Sequence, residues 1–272
     1  MNKFLKELKR YIKSEYYNLK KHHKIKLITL ILLIILFPIT IPLSIIGFII
    51  GILIEFNSGK IQYNKSLYKS ITKTSYFNCL FDKGKLAEYL TFKILSEEPG
   101  YKKVLINLYV PNGKETSEID AILLNEHGIF VIESKGFSGW IFGSDKNNEW
   151  KQVIYRKQNY FYSPITQNKN HIRALRNFLK IENLSIFRSY IVFSERCELK
   201  KIILDDKNIK VIKRHQLQEN LDKDYKIYGK VLTEKEIDLI YNKLYKYMFV
   251  DNEQKIGHIN YINELKNKKI NK

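Results

Sequence analysis

Residues 27–54 form the longest apolar run in the chain and contain no charged residue. A run of more than ~18 apolar residues has the length of a membrane-spanning helix. Pro38 and Pro42 divide the run, so two arrangements remain open. One is a single tilted or kinked span, and the other is a re-entrant hairpin that turns at residues 38–42. In either case the pattern predicts a transmembrane or re-entrant membrane segment.

Residues 1–26 carry nine Lys or Arg against two Glu. Their apolar positions recur at helical spacing: Phe4, Leu5, Leu8, Tyr11, Ile12, Tyr16 and Leu19. This pattern predicts a basic amphipathic helix that lies on anionic lipid. We therefore expect residues 1–54 to bind membrane lipid, and residues 55–81 to form a polar connector.

From residue 82 onward the apolar positions follow the periods of a globular domain. The pattern predicts helices at 86–95, 167–180, 233–248 and 253–266, and strands at 104–110, 117–124, 129–135, 187–193 and 209–212. Residues 136–143 read as a turn-rich return. This order predicts a mixed α/β fold with a central mixed sheet flanked by helices. We place this domain at residues 82–262, followed by a basic tail at 263–272.

Composition limits the partners and the compartment. The net charge is +19 and the sequence pI is about 9.6, which favours nucleic acid or anionic lipid as a partner. Cys79 and Cys197 are the two cysteines, too few for a disulfide framework or a Cys-rich zinc site. Free cysteines suit a reducing compartment, so we expect the globular domain on the cytoplasmic side of a bacterial-type plasma membrane. Basic residues flank both ends of the apolar run, so charge does not decide its orientation.

The hairpin predicted at 117–135 carries the candidate chemistry. Opposed residues in an antiparallel pair have a constant sum, so pairing Leu124 with Ile129 also places Asp120 opposite Glu133. Lys135 lies two residues beyond Glu133 and leaves the same face. Two facing carboxylates are destabilising unless a cation lies between them. Lys135 is one candidate and a divalent metal is the other; oxygen ligands suit Mg²⁺ or Mn²⁺. An ordinary surface hairpin with a cross-strand ion pair would explain the same pattern.

Several separated motifs resemble the NERD (nuclease-related domain) family of the PD-(D/E)XK nuclease superfamily. They are Gly84-Lys85-Leu86-Ala87-Glu88, Glu118-Ile119-Asp120, residues 128–135 (GIFVIESK), residues 139–143 (GWIFG), residues 164–168 (PITQN) and Gly257-His258-Ile259. The resemblance implies a restriction-endonuclease-like core. It also implies metal binding by Asp120 and Glu133, an assisting helix-borne acid at Glu88, a catalytic lysine at Lys135 and a polar helix residue at Gln167. Ala87, Gly136 and Ser163 stand where the family commonly has glycine, asparagine and asparagine.

Charge pattern, anchor and resemblance together predict a membrane-anchored nuclease that hydrolyses phosphodiester bonds in DNA with Mg²⁺ or Mn²⁺. The alternative is a non-catalytic nuclease-like module that binds DNA or a partner at the membrane. Lys and Tyr also interleave over residues 151–160, which is typical of a surface that neutralises a phosphate backbone and stacks bases. A solvated strand face explains that stretch equally well. We expect His171 to be a surface or packing residue, and Trp140 and Trp150 to be core or edge aromatics rather than base-stacking platforms.

Overall fold

The computed structural model describes residues 24–26, 28, 43–113 and 115–250. The predictions for the amphipathic helix up to residue 23, for Pro38 and Pro42, and for everything beyond residue 250 lie outside this part of the chain. That includes Gly257-His258-Ile259, the helix at 253–266 and the tail at 263–272.

The apolar segment before the domain is helical where it is described. Helix α1 covers Leu43–Lys65, and its most apolar stretch is not buried against other residues. Within the described residues it is the one helix long and apolar enough to cross a membrane, judged by length and composition. The predicted apolar helix is thus confirmed for residues 43–54, and its insertion into a membrane stays a prediction.

The rest of the described chain alternates helices and strands. The further helices are α2 (Leu67–Thr72), α3 (Tyr76–Phe81), α4 (Lys83–Glu97), α5 (Pro164–Leu179), α6 (Leu217–Tyr228) and α7 (Glu234–Tyr245). The strands are β1 (Lys102–Asn112), β2 (Glu115–Asn125), β3 (Gly128–Lys135), β4 (Gly139–Ser144), β5 (Glu149–Ile154), β6 (Lys157–Tyr162), β7 (Phe187–Phe193), β8 (Cys197–Ile203) and β9 (Ile209–Lys213).

A five-stranded sheet in the order β1-β2-β3-β7-β9 forms the centre of the domain. Strands β1, β2 and β3 are antiparallel neighbours, whereas β3, β7 and β9 run parallel. Every residue of β7 is buried, as expected of a parallel strand covered on both faces. Helices α4, α5 and α7 pack on this sheet. The prediction of a mixed α/β fold with a central mixed sheet flanked by helices is confirmed.

A second sheet, in the order β6-β5-β4-β8, was not predicted. Residues 136–143, read as a turn-rich return, instead contain its strand β4. One face of this sheet is held on the domain by aromatic packing: the Trp150 ring stacks on Phe193, with centroids 6.1 Å apart. Strand β6 is exposed at five of its six residues. A strand with so little burial lacks the apolar alternation by which strands are recognised.

Part of the predicted connector folds with the domain. Tyr63, Tyr68, Ile71 and Cys79 are buried and belong to the main hydrophobic core. The Tyr63 ring lies edge-on to Tyr89 of α4, with centroids 4.8 Å apart. Tyr68 of α2 donates a hydrogen bond to the Lys85 carbonyl at 3.1 Å, and α3 also contacts α4, so both short helices cover the start of α4, which carries Glu88.

Candidate active site

The β2–β3 hairpin has the predicted register. Leu124 pairs with Ile129 and Asn125 pairs with Gly128, and the ladder ends at Ala121 with Ile132. Asp120 and Glu133 occupy the next step, where the two strands separate. There the backbone N–H of Ser134 donates its hydrogen bond to a side chain of β2: the Asp120 Oδ2 accepts it at 2.7 Å.

Glu133 lies at the centre of a buried polar network. It is 1% exposed, and its Oε1 is 2.6 Å from Lys135 Nζ. Lys135 Nζ also donates to Gln167 Oε1 on α5, at 3.0 Å. The structure thus brings together Glu133, Lys135 and Gln167, and it places the first two on one face as predicted.

His171, also on α5, completes the network. Its Nε2 is 3.1 Å from Glu133 Oε2, and its Nδ1 is 2.8 Å from Ser117 Oγ. The histidine is buried rather than on the surface, and it packs by hydrogen bonding to a candidate site residue. His171 is thus a packing residue, one of the two possibilities expected, and its hydrogen bond holds the Glu133 carboxylate in place.

Burial and neighbouring charges set the protonation of the carboxyl groups. Burial raises the pKa of Asp120 well above its usual range, and the nearby Glu133 and Glu88 charges raise it further. Burial alone would also raise the pKa of Glu133, but Lys135 and His171 outweigh it, and the net pKa is lowered. The same pairing raises the pKa of Lys135 despite its desolvation. Glu133 and Lys135 therefore form an ion pair, whereas Asp120 carries negative charge only at a free-energy cost.

Glu88 faces this group from helix α4. Burial raises its pKa, and the charge of Glu133 is among the groups that add to the effect. The hydroxyl of Tyr68 donates to Glu88 Oε2 at 3.0 Å, which partly offsets the rise. All five predicted residues (Glu88, Asp120, Glu133, Lys135 and Gln167) thus belong to one electrostatically linked cluster. Their catalytic roles stay predictions.

The three departures from the family pattern have local structural reasons. A Cβ added to Gly136 would lie 2.2 Å from the backbone oxygen of Lys83, so only glycine lets the end of β3 approach the start of α4. Ser163 caps α5, since its Oγ accepts a hydrogen bond from Thr166 N at 3.3 Å. Ala87 is buried on α4 beside Glu88. None of the three removes a charged group from the cluster.

The carboxylate oxygens of the cluster are the donors available to a divalent cation. No group of three or more His, Cys, Asp or Glu side chains within the described ranges is arranged to hold a metal. Asp120 Oδ1 and Glu88 Oε1, however, accept no hydrogen bond from these residues, while the other oxygen of each is occupied. Mg²⁺ commonly uses only one or two protein carboxylates and completes its shell with water and phosphate. The residues present fit a hydrated cation of this kind.

Sequence reasoning missed the supporting residues Tyr68, Ser117 and His171. A signal existed for His171, which follows Gln167 by one helical turn and so shares its face. Tyr68 had none, because it lies in a short helix within the predicted connector.

Comparison with known proteins agrees with this geometry. The model of the nuclease-related domain family (NERD) matches residues 83–194, which contain all five candidate residues. An uncharacterized protein of Bacillus anthracis is 32% identical over 183 residues, which is 66% of this chain and 84% of that protein. No solved structure matches the chain significantly. The match to the family model and the extent of the similarity to this relative show that the chain belongs to the nuclease-related domain family.

Proposed function

We propose that the protein is a membrane-anchored, divalent-metal-dependent nuclease that hydrolyses phosphodiester bonds in DNA. One observation carries the proposal: the Asp120 and Glu88 carboxyls face a buried Glu133–Lys135 ion pair where β2 and β3 separate. Desolvated acids with raised pKa values are typical of sites that act on a charged substrate. Family membership favours the same chemistry.

The residues of the cluster would have three roles: metal binding, stabilisation of charge on the substrate, and positioning. Asp120 and Glu133, assisted by Glu88, would hold Mg²⁺ or Mn²⁺. Asp120 and Glu88 would offer oxygens that accept no hydrogen bond from the described residues, and Glu133 would use a lone pair that Lys135 and His171 do not occupy. When bound, such an ion polarises a phosphoryl oxygen and lowers the pKa of a coordinated water. Lys135 would stabilise charge that develops on the phosphoryl oxygens, and its amine is held in place by Gln167. His171 would keep Glu133 in one orientation by its hydrogen bond to Oε2, the carboxylate oxygen that Lys135 does not contact.

The anchor would hold this activity at a membrane. Helix α1, together with the basic residues that precede it, would bind lipid. The globular domain would face the cytoplasm, where Cys79 and Cys197 stay reduced and DNA is available.

Hydrolysis of labelled DNA by the full chain in detergent tests the proposal. We expect cleavage with Mg²⁺ or Mn²⁺, none in EDTA, and a loss of at least ~100-fold in Asp120→Asn, as for removal of other groups that stabilise a transition state. The control is Asp224→Asn, which changes another buried aspartate that accepts a hydrogen bond from Tyr190 outside the site. Metal-independent cleavage, or equal rates in wild type and Asp120→Asn, would refute the assignment. DNA binding without hydrolysis would instead identify a non-catalytic module.

A further inference from the structure

The second sheet has two chemically different faces. On the inner face, Ile141 and Trp150 are buried and pack with Phe193 of the domain. On the outer face, Trp140 is 49% exposed and Tyr160 is 62% exposed. Large exposed aromatics on one face of a sheet are unusual in a protein surface that has no partner.

Strand pairing places these aromatics side by side with lysines. Lys151 pairs with Tyr160 across β5 and β6, and the same Lys151 pairs with Phe142 across β4 and β5. Directly paired residues share a face, so Phe142, Lys151 and Tyr160 form one row across three strands. Trp140 lies two residues from Phe142 on β4 and therefore leaves the same face.

Two amines beside this face lie near aromatic rings. Lys151 Nζ is 5.1 Å from the Phe142 ring centroid, and Lys200 Nζ is 5.1 Å from the centroid of Trp140. Lys200 is partly neutralised by Glu198 at 2.7 Å. Lys151 and Lys201 form no ion pair with the described residues, and both are at least partly exposed. The face therefore offers rings for stacking and positive charge for a backbone, against one further acid, Glu149, beside Tyr162.

The outer face is connected to the candidate site at both of its ends. Trp140 follows Lys135 by five residues, so their Cα atoms are at most about 18 Å apart. At the other end, Tyr162 precedes the Ser163 cap of α5, the helix that carries Gln167. Asn170 of α5 donates a hydrogen bond to the Tyr162 hydroxyl at 3.4 Å. These connections keep the outer face close to the candidate site along the chain.

We infer that the outer face of the second sheet binds single-stranded nucleic acid, with bases stacked on Trp140 and Tyr160 and phosphates near Lys151 and Lys201. Stacking needs exposed base faces, which a duplex does not offer, so the face selects single strands. The net charge of +19 supports a polyanion as the occupant. The inference adds a binding surface to the proposed hydrolysis and does not require it.

Fluorescence anisotropy with the full chain in detergent and EDTA tests the inference without cleavage. The probes are an oligothymidine of about 20 nucleotides and a duplex of the same length, which exceed the site size of a typical stacking surface. We expect tighter binding of the single strand and a weakening of about 5- to 100-fold for Trp140→Ala or Tyr160→Ala. Lys201→Gln should make binding less sensitive to salt. The slope of the logarithm of the binding constant against the logarithm of the salt concentration should fall in magnitude by about 0.7, as expected for the loss of one contact to a single-strand phosphate.

Two controls separate stacking from general damage. Trp140→Phe keeps a ring and should bind within about twofold of wild type. Tyr245→Ala removes an exposed aromatic from α7, which packs on β1, and should have no effect. Unchanged affinity in the Trp140→Ala, Tyr160→Ala double variant overturns the inference, as does equal binding of duplex through these residues. Asp224→Asn, which changes a buried aspartate outside the site, should keep full binding. Binding is measured in EDTA without cleavage, so loss of this surface and loss of hydrolysis are distinguishable.

Discussion

The acids of the candidate site differ in how well their negative charge is stabilised. The Glu133 carboxylate has two cationic or hydrogen-bonding partners, Lys135 and His171. Asp120 and Glu88 have raised pKa values because burial and neighbouring acids disfavour their charged forms. A bound cation would remove that cost, since opposite charge favours the ionised form. Asp120 and Glu88, whose charged forms are costly in the isolated protein, would therefore gain most from a bound metal.

Lys135→Met tests the part of the ion pair that would act on substrate. Methionine keeps the length of the side chain but removes the charge. We expect cleavage to fall at least ~100-fold, because a cation that stabilises the transition state is lost. Stability should fall by about 3 kcal/mol, or roughly 6–12 °C in Tm, because Glu133 then keeps only His171 as a partner. Single-turnover cleavage and thermal unfolding measure the two effects.

Lys210→Met provides the matched control. Lys210 pairs with the buried Asp224 at 3.6 Å, outside the site. This variant should lose stability while it retains the wild-type cleavage rate. Equal activity of Lys135→Met and Lys210→Met, after correction for folded fraction, would remove Lys135 from the mechanism.

Much of this residue-level geometry follows from the sequence. The turn at residues 125–128 fixes the hairpin register, and the register alone places Asp120 opposite Glu133, one step beyond the last paired residues. The contacts of His171 and Ser117 do not follow, because they join residues 54 positions apart through tertiary packing.

At the scale of elements, α5 orients the polar half of the site. It carries Gln167, which accepts from Lys135, and His171, which bonds Glu133. Its start is fixed by Ser163, whose side chain caps the helix. The cap therefore controls where both groups point.

Ser163→Ala should uncouple this helix from the site. Loss of an N-cap costs about 1 kcal/mol, or roughly 2–4 °C in Tm for a domain of this size. We also expect at least about a tenfold fall in cleavage, since small displacements of positioning groups are costly. Thr233→Ala removes the equivalent cap of α7, where Thr233 Oγ1 accepts from Glu236 N at 3.3 Å. It should lower Tm similarly without changing cleavage, and parallel losses of activity in both variants would count against the role of α5.

The elements differ in how well their patterns predict them. Strand β7 and helix α5 were predicted within a few residues, because continuous burial and helical periodicity mark them clearly. Strands β6 and β8 were not, since most of their residues are exposed. Alternation between buried and exposed positions identifies a strand, and these two edge strands bury too few residues to show it clearly.

For the molecule as a whole, the membrane side of the domain decides whether it meets DNA. The apolar run predicts an anchor but does not orient it, because basic residues flank both ends. Both native cysteines are buried, so they are poor targets for a labelling reagent in the folded protein.

A cysteine introduced at Tyr155 reports the orientation. Tyr155 is 97% exposed at the tip of the β5–β6 hairpin. We expect a membrane-impermeant maleimide to label Tyr155→Cys only after cells are permeabilised, with the wild type as a low-labelling control. Equal labelling of intact and permeabilised cells would place the domain outside and exclude cytoplasmic DNA as its substrate.

Binding of Mn²⁺ to the full chain, measured by the loss of the free-ion EPR signal, tests the central claim most directly. We predict one tight site per chain in wild type and in Asp224→Asn, and loss of that site in Asp120→Asn, because Asp120 supplies a charged oxygen that has no other partner in the described chain. Wild-type protein that binds no Mn²⁺, or Asp120→Asn protein that binds it as tightly as wild type, would contradict the account.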